Sequence, residues 1–360
     1  MASIYIHIPF CKSICAYCDF CKVLHNHDFV MSYLDALRNE IEDIYEHEEV
    51  STLYIGGGTP SSLLDDEREK LREILNIFKL SSHYEFTFEC NIEDIEEKLL
   101  LYLKEIGVNR LSIGVESFDH DKLAFMNRRA DFKDAQKKLS LIRKMGFDNV
   151  NLDLMYGIPY EKVSDLKKDL NQFLKLNPEH ISTYSLIIED HTMCKIREDE
   201  NIKEEEEIKM YNFIVSTLEK AGFHHYEVSN FAKPNKESKH NLCYWNNREY
   251  YGFGLGASGY IKGFRYENTH SLNEYLRGNF RREEHLVGRT EMMENEVMLG
   301  LRKMEGINIQ EFYDKYEVNI QDVFPVKPLV KLKQLIYRDG HIFINPKYIY
   351  VMNEILLKLI

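Results

Sequence analysis

Basic residues, long apolar runs and paired cysteines are all in short supply in this chain, and each shortage excludes a class of function. No stretch of the 360 residues reaches the ~18 apolar positions needed to span a bilayer, and the opening MASIYIHIPF lacks the basic n-region and long apolar core of a secretion signal. Both absences predict a cytoplasmic location. Lysine and arginine number 46 against 59 aspartate and glutamate, a formal net charge of −13, which argues against nonspecific attraction to nucleic acid. The charge mainly favours solubility, and the acidic run Glu204 to Glu207 reads as the solvated first turn of a helix, where negative charge suits the macrodipole. No repeat or low-complexity segment interrupts the chain. Cysteine is sparse and odd in number: seven in all, four of them crowded between Cys11 and Cys21. That distribution fits a reducing compartment and metal binding better than a disulfide framework, and it leaves Cys90, Cys194 and Cys243 as buried or free thiols.

What is present is enough for one large core and a smaller second one, with 44% hydrophobic and 29% charged residues over this length. Short β-branched or aromatic runs alternate with longer helical patterns, the signal for parallel β/α units. Strands are predicted at Ile4–Ile8, Thr52–Ile55, Tyr84–Glu89, Asn109–Val115, Asn149–Leu154 and Ile181–Leu186. Helices are predicted between them, at Phe29–Tyr45, Asp66–Phe78, Asp94–Ile106, Phe132–Met145 and Val163–Leu176, with Gly107 and Gly146 where C-caps belong. A helix at Lys203–Ala221 and a strand at His224–Val228 follow. The pattern then changes to a polar loop, an aromatic and Gly-rich segment over Tyr244–Tyr260, and helices at Met292–Arg302, Ile309–Tyr316 and Leu329–Arg338. The last stretch, His341–Ile360, reads as strand, turn and helix. A boundary near residues 230–240 divides the chain into 1–235 and 236–360. The expected fold class is α/β: a partial (β/α)6 barrel followed by a smaller, mainly helical, winged-helix-like C-terminal domain.

Cys11, Cys15 and Cys18 form a C-x-x-x-C-x-x-C loop directly after the first strand, with Tyr17 just inside the third cysteine. A run this tight can hold three thiolates around one face of an iron–sulfur cube and leave the fourth iron open to a small molecule. The rivals are a structural zinc site and independent thiols. Zinc sites usually split four ligands into two distant pairs, whereas this cluster offers three within eight positions, with Cys21 as a candidate fourth. In a parallel β/α barrel the loops after the strand C-termini form the active face, and here nearly every strand end carries a polar residue. Gly56-Gly57-Gly58-Thr59-Pro60 follows the second strand; it is a plain turn or, with side chains removed, a place where backbone amides approach a ligand. It is no P-loop, because the Lys-Ser/Thr ending is missing. Glu89 closes the third strand, Glu116 and Ser117 follow the fourth, Asp153 lies near the end of the fifth and Tyr184 in the sixth. Glu89 is either a pocket carboxylate or a solvated edge charge. Asp153, between Leu152 and Leu154, needs a buried partner, and ribose hydroxyls would serve.

With these motifs assembled, the chain resembles the radical S-adenosylmethionine (SAM) superfamily, in the branch that contains oxygen-independent coproporphyrinogen III oxidase (HemN) and the HemW heme chaperones. The matching stretches are YIHIPFCKSICAYCDF at 5–20, GGGTP at 56–60, GVNRLSIGVESF at 107–118, NLDLMYGIP at 151–159 and HNLCYW at 240–245. The resemblance implies that Cys11, Cys15 and Cys18 hold a 4Fe-4S cluster whose fourth iron is chelated by the amino and carboxylate groups of SAM. It implies contacts to that SAM from Tyr5, Gly57 and Glu89. A second SAM site in the oxidase uses positions matching Tyr17, Gly58, Thr59, Glu116, Arg128 and Asp153. Glu116 stands where the family usually has Gln, an exchange of an amide donor for a charge.

Two features separate the branches. The oxidase carries a fourth cysteine two residues after its third; here that position is Phe20, and Cys21 comes one later. The motif His240-Asn241-x-x-Tyr244-Trp245 is similar to HemW and to some radical SAM methyltransferases. The resemblance to HemW implies heme as a third cofactor, recipient hemoproteins as partners, a flavodoxin or ferredoxin as reductant, and peripheral association with a membrane for heme delivery. It assigns no catalytic residue. His240 is the candidate heme ligand, with Tyr244 and Trp245 as an aromatic wall; the bland reading has His240 bonding a loop and Trp245 filling the core. The expected function is a HemW-like heme chaperone, with oxidase-like radical chemistry in porphyrin biosynthesis and a HemW-like methyltransferase as the open alternatives.

Overall fold

Successive strands of the N-terminal half share one odd pattern: residues of one parity are apolar and those of the other parity are polar, although both faces are covered. A computed structural model describes all 360 residues. Its principal sheet holds six parallel strands in chain order, β1 (Ala2–Ile8), β2 (Val50–Gly57), β3 (Leu80–Asn91), β4 (Arg110–Glu116), β5 (Val150–Tyr156) and β6 (His180–Ser185). Between them run α1 (His27–Ile44), α2 (Asp65–Leu75), α3 (Glu97–Glu105), α4 (His120–Met126), α5 (Phe132–Lys144) and α6 (Val163–Leu176). Ile4, Ile6, Leu53, Ile55, Phe86, Phe88, Leu111, Ile113 and Leu152 belong to one apolar cluster of 74 buried residues that the helices cover. Each such residue stabilises the fold by about 1.5–3 kcal/mol through burial. The alternate positions, among them Tyr5, His7, Tyr54, Glu89, Arg110, Asp153 and Tyr184, are polar, and strand periodicity sends them to the opposite, concave side. The inside of this half-barrel is thus a polar chamber.

The sheet stays open. Beyond β6 it is extended by β7 (His224–Glu227) and β8 (Asn230–Ala232), antiparallel, and beyond β1 by β9 (Tyr251–Phe253), parallel to it. The α/β barrel expected from the sequence is therefore present, with all six expected strands. α4 was not expected, and α3 starts at Glu97 because Ile92–Asp94 forms a separate short turn of 3-10 helix. The boundary expected at 235/236 falls inside the sheet-bearing body. Just after it, helix α7 (Lys239–Trp245) packs on β2 and β3 through its backbone, the amides of Lys239 and His240 donating to the Glu85 carboxylate at 3.1 and 3.0 Å. β9 then joins β1, so the chain leaves the main sheet only after Phe253.

The C-terminal part has a small antiparallel sheet over Ser258–Leu286, and then helices at Arg289–Gly300, Ile309–Tyr316, Ile320–Val323 and Val326–Lys331. Ile307–Asn308, Leu335–Arg338 and His341–Ile344 form a three-stranded antiparallel sheet beside the last three of these, a winged-helix arrangement. The helix expected over Leu329–Arg338 stops at Lys331. Asp339 and Gly340 both take positive φ, 54° and 76°, and make the two-residue turn of a hairpin, which recruits the apolar and aromatic Leu335–Tyr337 into a strand.

Candidate functional site

At the C-terminal ends of β1–β6 lies a cavity of about 700 Å3. Eleven of the thirteen residues singled out from the sequence line it: Cys11, Cys15, Tyr17, Cys18, Gly57, Gly58, Thr59, Glu89, Glu116, Arg128 and Asp153. Tyr5 and His240 do not.

The cysteine loop is held at its ends and in its middle. Phe10–Cys11 pairs in parallel with Val23–Leu24, and the His25 amide donates to the Cys11 carbonyl at 2.9 Å. In the middle, the Ala16 amide donates to the Met126 carbonyl at 2.9 Å, its carbonyl accepts from the Cys194 amide at 3.0 Å, and the Asn127 side chain donates to the Ile14 carbonyl at 2.9 Å. α4 is therefore a brace for the loop. The Thr59 hydroxyl lies 3.5 Å from Cys11 Sγ and an Arg128 guanidinium nitrogen 3.7 Å from Cys15 Sγ.

Glycine is needed after β2 because the protein's own groups crowd that loop. A Cβ on Gly56 would stand 2.7 Å from the Glu89 carboxylate, one on Gly57 2.6 Å from the His7 ring, and one on Gly58 2.6 Å from the Pro9 carbonyl carbon. The close approach is first of all internal, and Gly57 and Gly58 in addition face the cavity. The Gly57 amide donates to Glu89 Oε2 at 3.0 Å, and the Tyr54 hydroxyl donates to Oε1 at 2.7 Å. Burial nevertheless pushes the Glu89 carboxyl up to about 7.

Glu116 adopts φ 67°, a left-handed conformation that costs a glutamate free energy and marks a constrained position. It accepts from the Tyr17 hydroxyl at 3.1 Å through Oε1, while its other oxygen is buried without a partner. Burial pushes this carboxyl too up to about 7, against the pull of the nearby Arg128. Asp153 is raised by burial and held by the Asn151 side-chain amide at 2.8 Å. Three crowded carboxylates and an unsatisfied oxygen suit a cationic guest that brings hydrogen-bond donors.

The two remaining residues stand outside the cavity lining. The Tyr5 hydroxyl lies 2.9 Å from His7 Nδ1, and His7 Nε2 in turn lies 2.7 Å from the Cys21 carbonyl, so Tyr5 supports the loop through His7. His240 is buried, its Nδ1 2.9 Å from the Thr52 hydroxyl and its Nε2 2.7 Å from the Tyr244 hydroxyl. Burial pushes it down to about 3. Both ring nitrogens are engaged in hydrogen bonds, so binding an iron would first require one of these bonds to break, and Tyr244 is one of the two partners. Trp245 packs against Arg302, 5.7 Å from the guanidinium carbon to the ring centroid. Cys21 points elsewhere, its sulfur 4.0 Å from the His270 carbonyl.

Tyr54, Asn91 and Asn151 were missed. Asn91 takes a hydrogen bond from Arg128 at 3.1 Å, and Asn151 also donates to Ser112 at 2.8 Å. Their signal was available: Asn91 and Asn151 each lie two places from an expected site residue on the same strand, Glu89 and Asp153, and Tyr54 has the parity opposite to the apolar Leu53 and Ile55.

The donor set fits an iron–sulfur cluster. The three thiols of the cysteine loop and no imidazole face the cavity, with Cys90 of β3 the one further cysteine in its lining, and no three His, Cys, Asp or Glu side chains are gathered as a single bound ion would require. A cluster, taking one thiolate per iron, makes no such demand. Burial pushes the Cys11 thiol up to about 11 and raises Cys18 too, so these sulfurs need an adjacent cation to ionise, which iron supplies.

Comparison with known proteins agrees with this donor set. The radical SAM superfamily profile matches residues 5–173, and that of the HemN C-terminal domain matches 287–350. The heme chaperone HemW of Bacillus subtilis is 41% identical over 339 residues, covering 90% of this chain and 89% of its own. That of Lactococcus lactis is 38% identical over 347 residues, covering 94% and 91%. Among solved structures, coproporphyrinogen III oxidase (HemN) from Escherichia coli superposes with a TM-score of 0.87 over 99% of this chain and 89% of its own, at 23% identity, which shows a shared fold. No helix is long and apolar enough to cross a membrane. The chain belongs to the radical SAM superfamily, a family of 4Fe-4S and SAM proteins, and within it to the HemW branch that shares the HemN fold.

Proposed function

We propose that the protein is a heme chaperone: it binds heme and passes it to hemoproteins, with a 4Fe-4S cluster on Cys11, Cys15 and Cys18 and SAM in the cavity beside it. The observation that carries this reading is identity of 41% and 38% to proteins named heme chaperones along nine-tenths or more of the chain, so that the second half is matched as well as the cluster loop. A cluster held by three thiolates leaves one iron for the amino and carboxylate groups of SAM. Glu89 would receive the SAM ammonium, and Gly57, Gly58, Thr59, Tyr17, Glu116, Arg128 and Asp153 would line the remainder of the guest. All of these residues face one cavity. Reduction by a flavodoxin or ferredoxin belongs to the same proposal. The heme iron takes a ligand other than His240, whose nitrogens are spoken for.

The test is one anaerobically reconstituted preparation examined in two assays. Stoichiometric heme binding by absorbance titration, with no protoporphyrinogen formed from coproporphyrinogen III in the presence of SAM and reductant, is the expected pair of results. Substantial decarboxylation would overturn the chaperone reading in favour of the oxidase.

A further inference from the structure

We infer that Arg128 sets the reduction potential of the cluster, by holding a guanidinium charge against the Cys15 sulfur, and that Glu116 opposes it. The inference rests on the reading of Cys11, Cys15 and Cys18 as cluster ligands.

Arg128 approaches Cys15 Sγ to 3.7 Å through Nη1, which also donates to Asn91 Oδ1 at 3.1 Å, and its Nη2 donates to the Gly114 carbonyl at 2.7 Å. None of these partners is a carboxylate, so the charge is not neutralised by contact. Nε is buried and unpartnered. The approach is built into the backbone. Asn127, which ends α4 in a left-handed turn at φ 56°, sends the next residue back towards the sheet, and the Arg128 amide returns to the Leu123 carbonyl at 2.9 Å. The same helix end is bonded to the cysteine loop on either side of Cys15, through Ile14 and Ala16. Guanidinium and sulfur are thus carried on two segments that cannot drift apart independently.

Reduction adds one negative charge to a cluster. A fixed cation in a poorly solvated site stabilises the reduced state more than the oxidised one, and an N–H···S hydrogen bond withdraws electron density in the same sense, so Arg128 raises the potential. Glu116, in the same cavity with an unpartnered oxygen, acts with the opposite sign. A guanidinium that only positioned SAM, or only braced the fold, would leave the potential of the SAM-free cluster unchanged.

The experiment is an EPR-monitored redox titration at pH 8.5, without SAM, of reconstituted parent, Arg128→Gln, Arg128→Lys and Glu116→Gln, with iron and sulfide counted for each. Arg128→Gln is expected at a more negative potential than the parent, Arg128→Lys between the two, and Glu116→Gln at a more positive one. Should Arg128→Gln fail to hold a cluster, the charge-neutral double variant Arg128→Gln/Glu116→Gln takes its place and is expected below the parent, because the lost cation is the charge in contact with sulfur. Parent-like potentials in variants with full iron content, or shifts of the other sign, overturn the inference while leaving the cluster reading intact. A parent that assembles no cluster defeats the cluster reading, and this inference with it.

Discussion

Nδ1 of His240 lies 2.9 Å from the hydroxyl of Thr52, a bond across 188 positions that pins α7 to the second strand of the sheet. The His240-Asn241-x-x-Tyr244-Trp245 motif therefore closes the side of the half-barrel. His240→Ala is expected to leave two buried hydroxyls unsatisfied beside a cavity and to cost about 2–4 kcal/mol. Urea unfolding measures the loss, and a heme titration of the same variant is expected to match the parent. Lost heme binding at parental stability would return His240 to the iron.

Cys21 has the opposite standing. Its sulfur faces the His270 carbonyl and not the cavity, so Cys21→Ser is expected to keep the full complement of iron while Cys18→Ser loses it. Iron-to-protein ratios after desalting decide the matter, and equal losses in the two variants would make Cys21 a ligand.

Lys122 on α4 reaches Glu161 and, at 2.8 Å, Asp169, which also accepts from the Ser117 hydroxyl at 2.7 Å and the Phe118 amide at 2.9 Å. Removing the lysine leaves two buried carboxylates unpaired, and Lys122→Met is expected to cost about 3–5 kcal/mol. Because α4 braces the cysteine loop, iron retention is expected to fall as well. Lys122→Arg keeps the charge and is expected to restore much of both. Iron retention unchanged in a destabilised Lys122→Met would separate α4 from the loop.

Glu89, Glu116 and Glu227 stand near 7 in the folded protein, chiefly because burial disfavours the anion. In the unfolded chain they ionise at lower pH. The stability linked to them is therefore complete below the ordinary carboxyl value of 4.5 and is lost as pH rises through about 7. Apoprotein is expected to melt at a lower temperature at pH 8 than at pH 5. Glu116→Gln is expected to shrink that difference and to gain on the order of 2 kcal/mol at pH 8. Thermal melts across pH test this, and a profile identical to the parent's would show that Glu116 is not a buried anion.

The strands were legible because Ile4, Leu53, Phe86, Leu111 and Leu152 recur with partners two places on, and that period belongs to one element type. The same periodicity read on the other parity would have found Tyr54, Asn91 and Asn151 beside Glu89 and Asp153. The turn at Asp339-Gly340 and the strand from His341 were legible, and only the other strand of that hairpin, Leu335–Arg338, was missed, because the apolar run there also satisfies a helical pattern.

Chemistry confined to a few neighbouring residues could be read directly: three thiols in C-x-x-x-C-x-x-C, the glycine run and the acids at strand ends need only local spacing and strand parity. The tertiary structure decided which of those groups are free to meet a guest. Tyr5 is taken by His7, His240 by Thr52 and Tyr244, and the space over Gly56 by Glu89, while Arg128 is brought against Cys15 by a helix 113 positions away in the chain. Hydrogen-bond partners and burial are relations between distant residues. A histidine or tyrosine carries no local mark of whether another side chain already holds its nitrogen or hydroxyl, and only packing makes that choice.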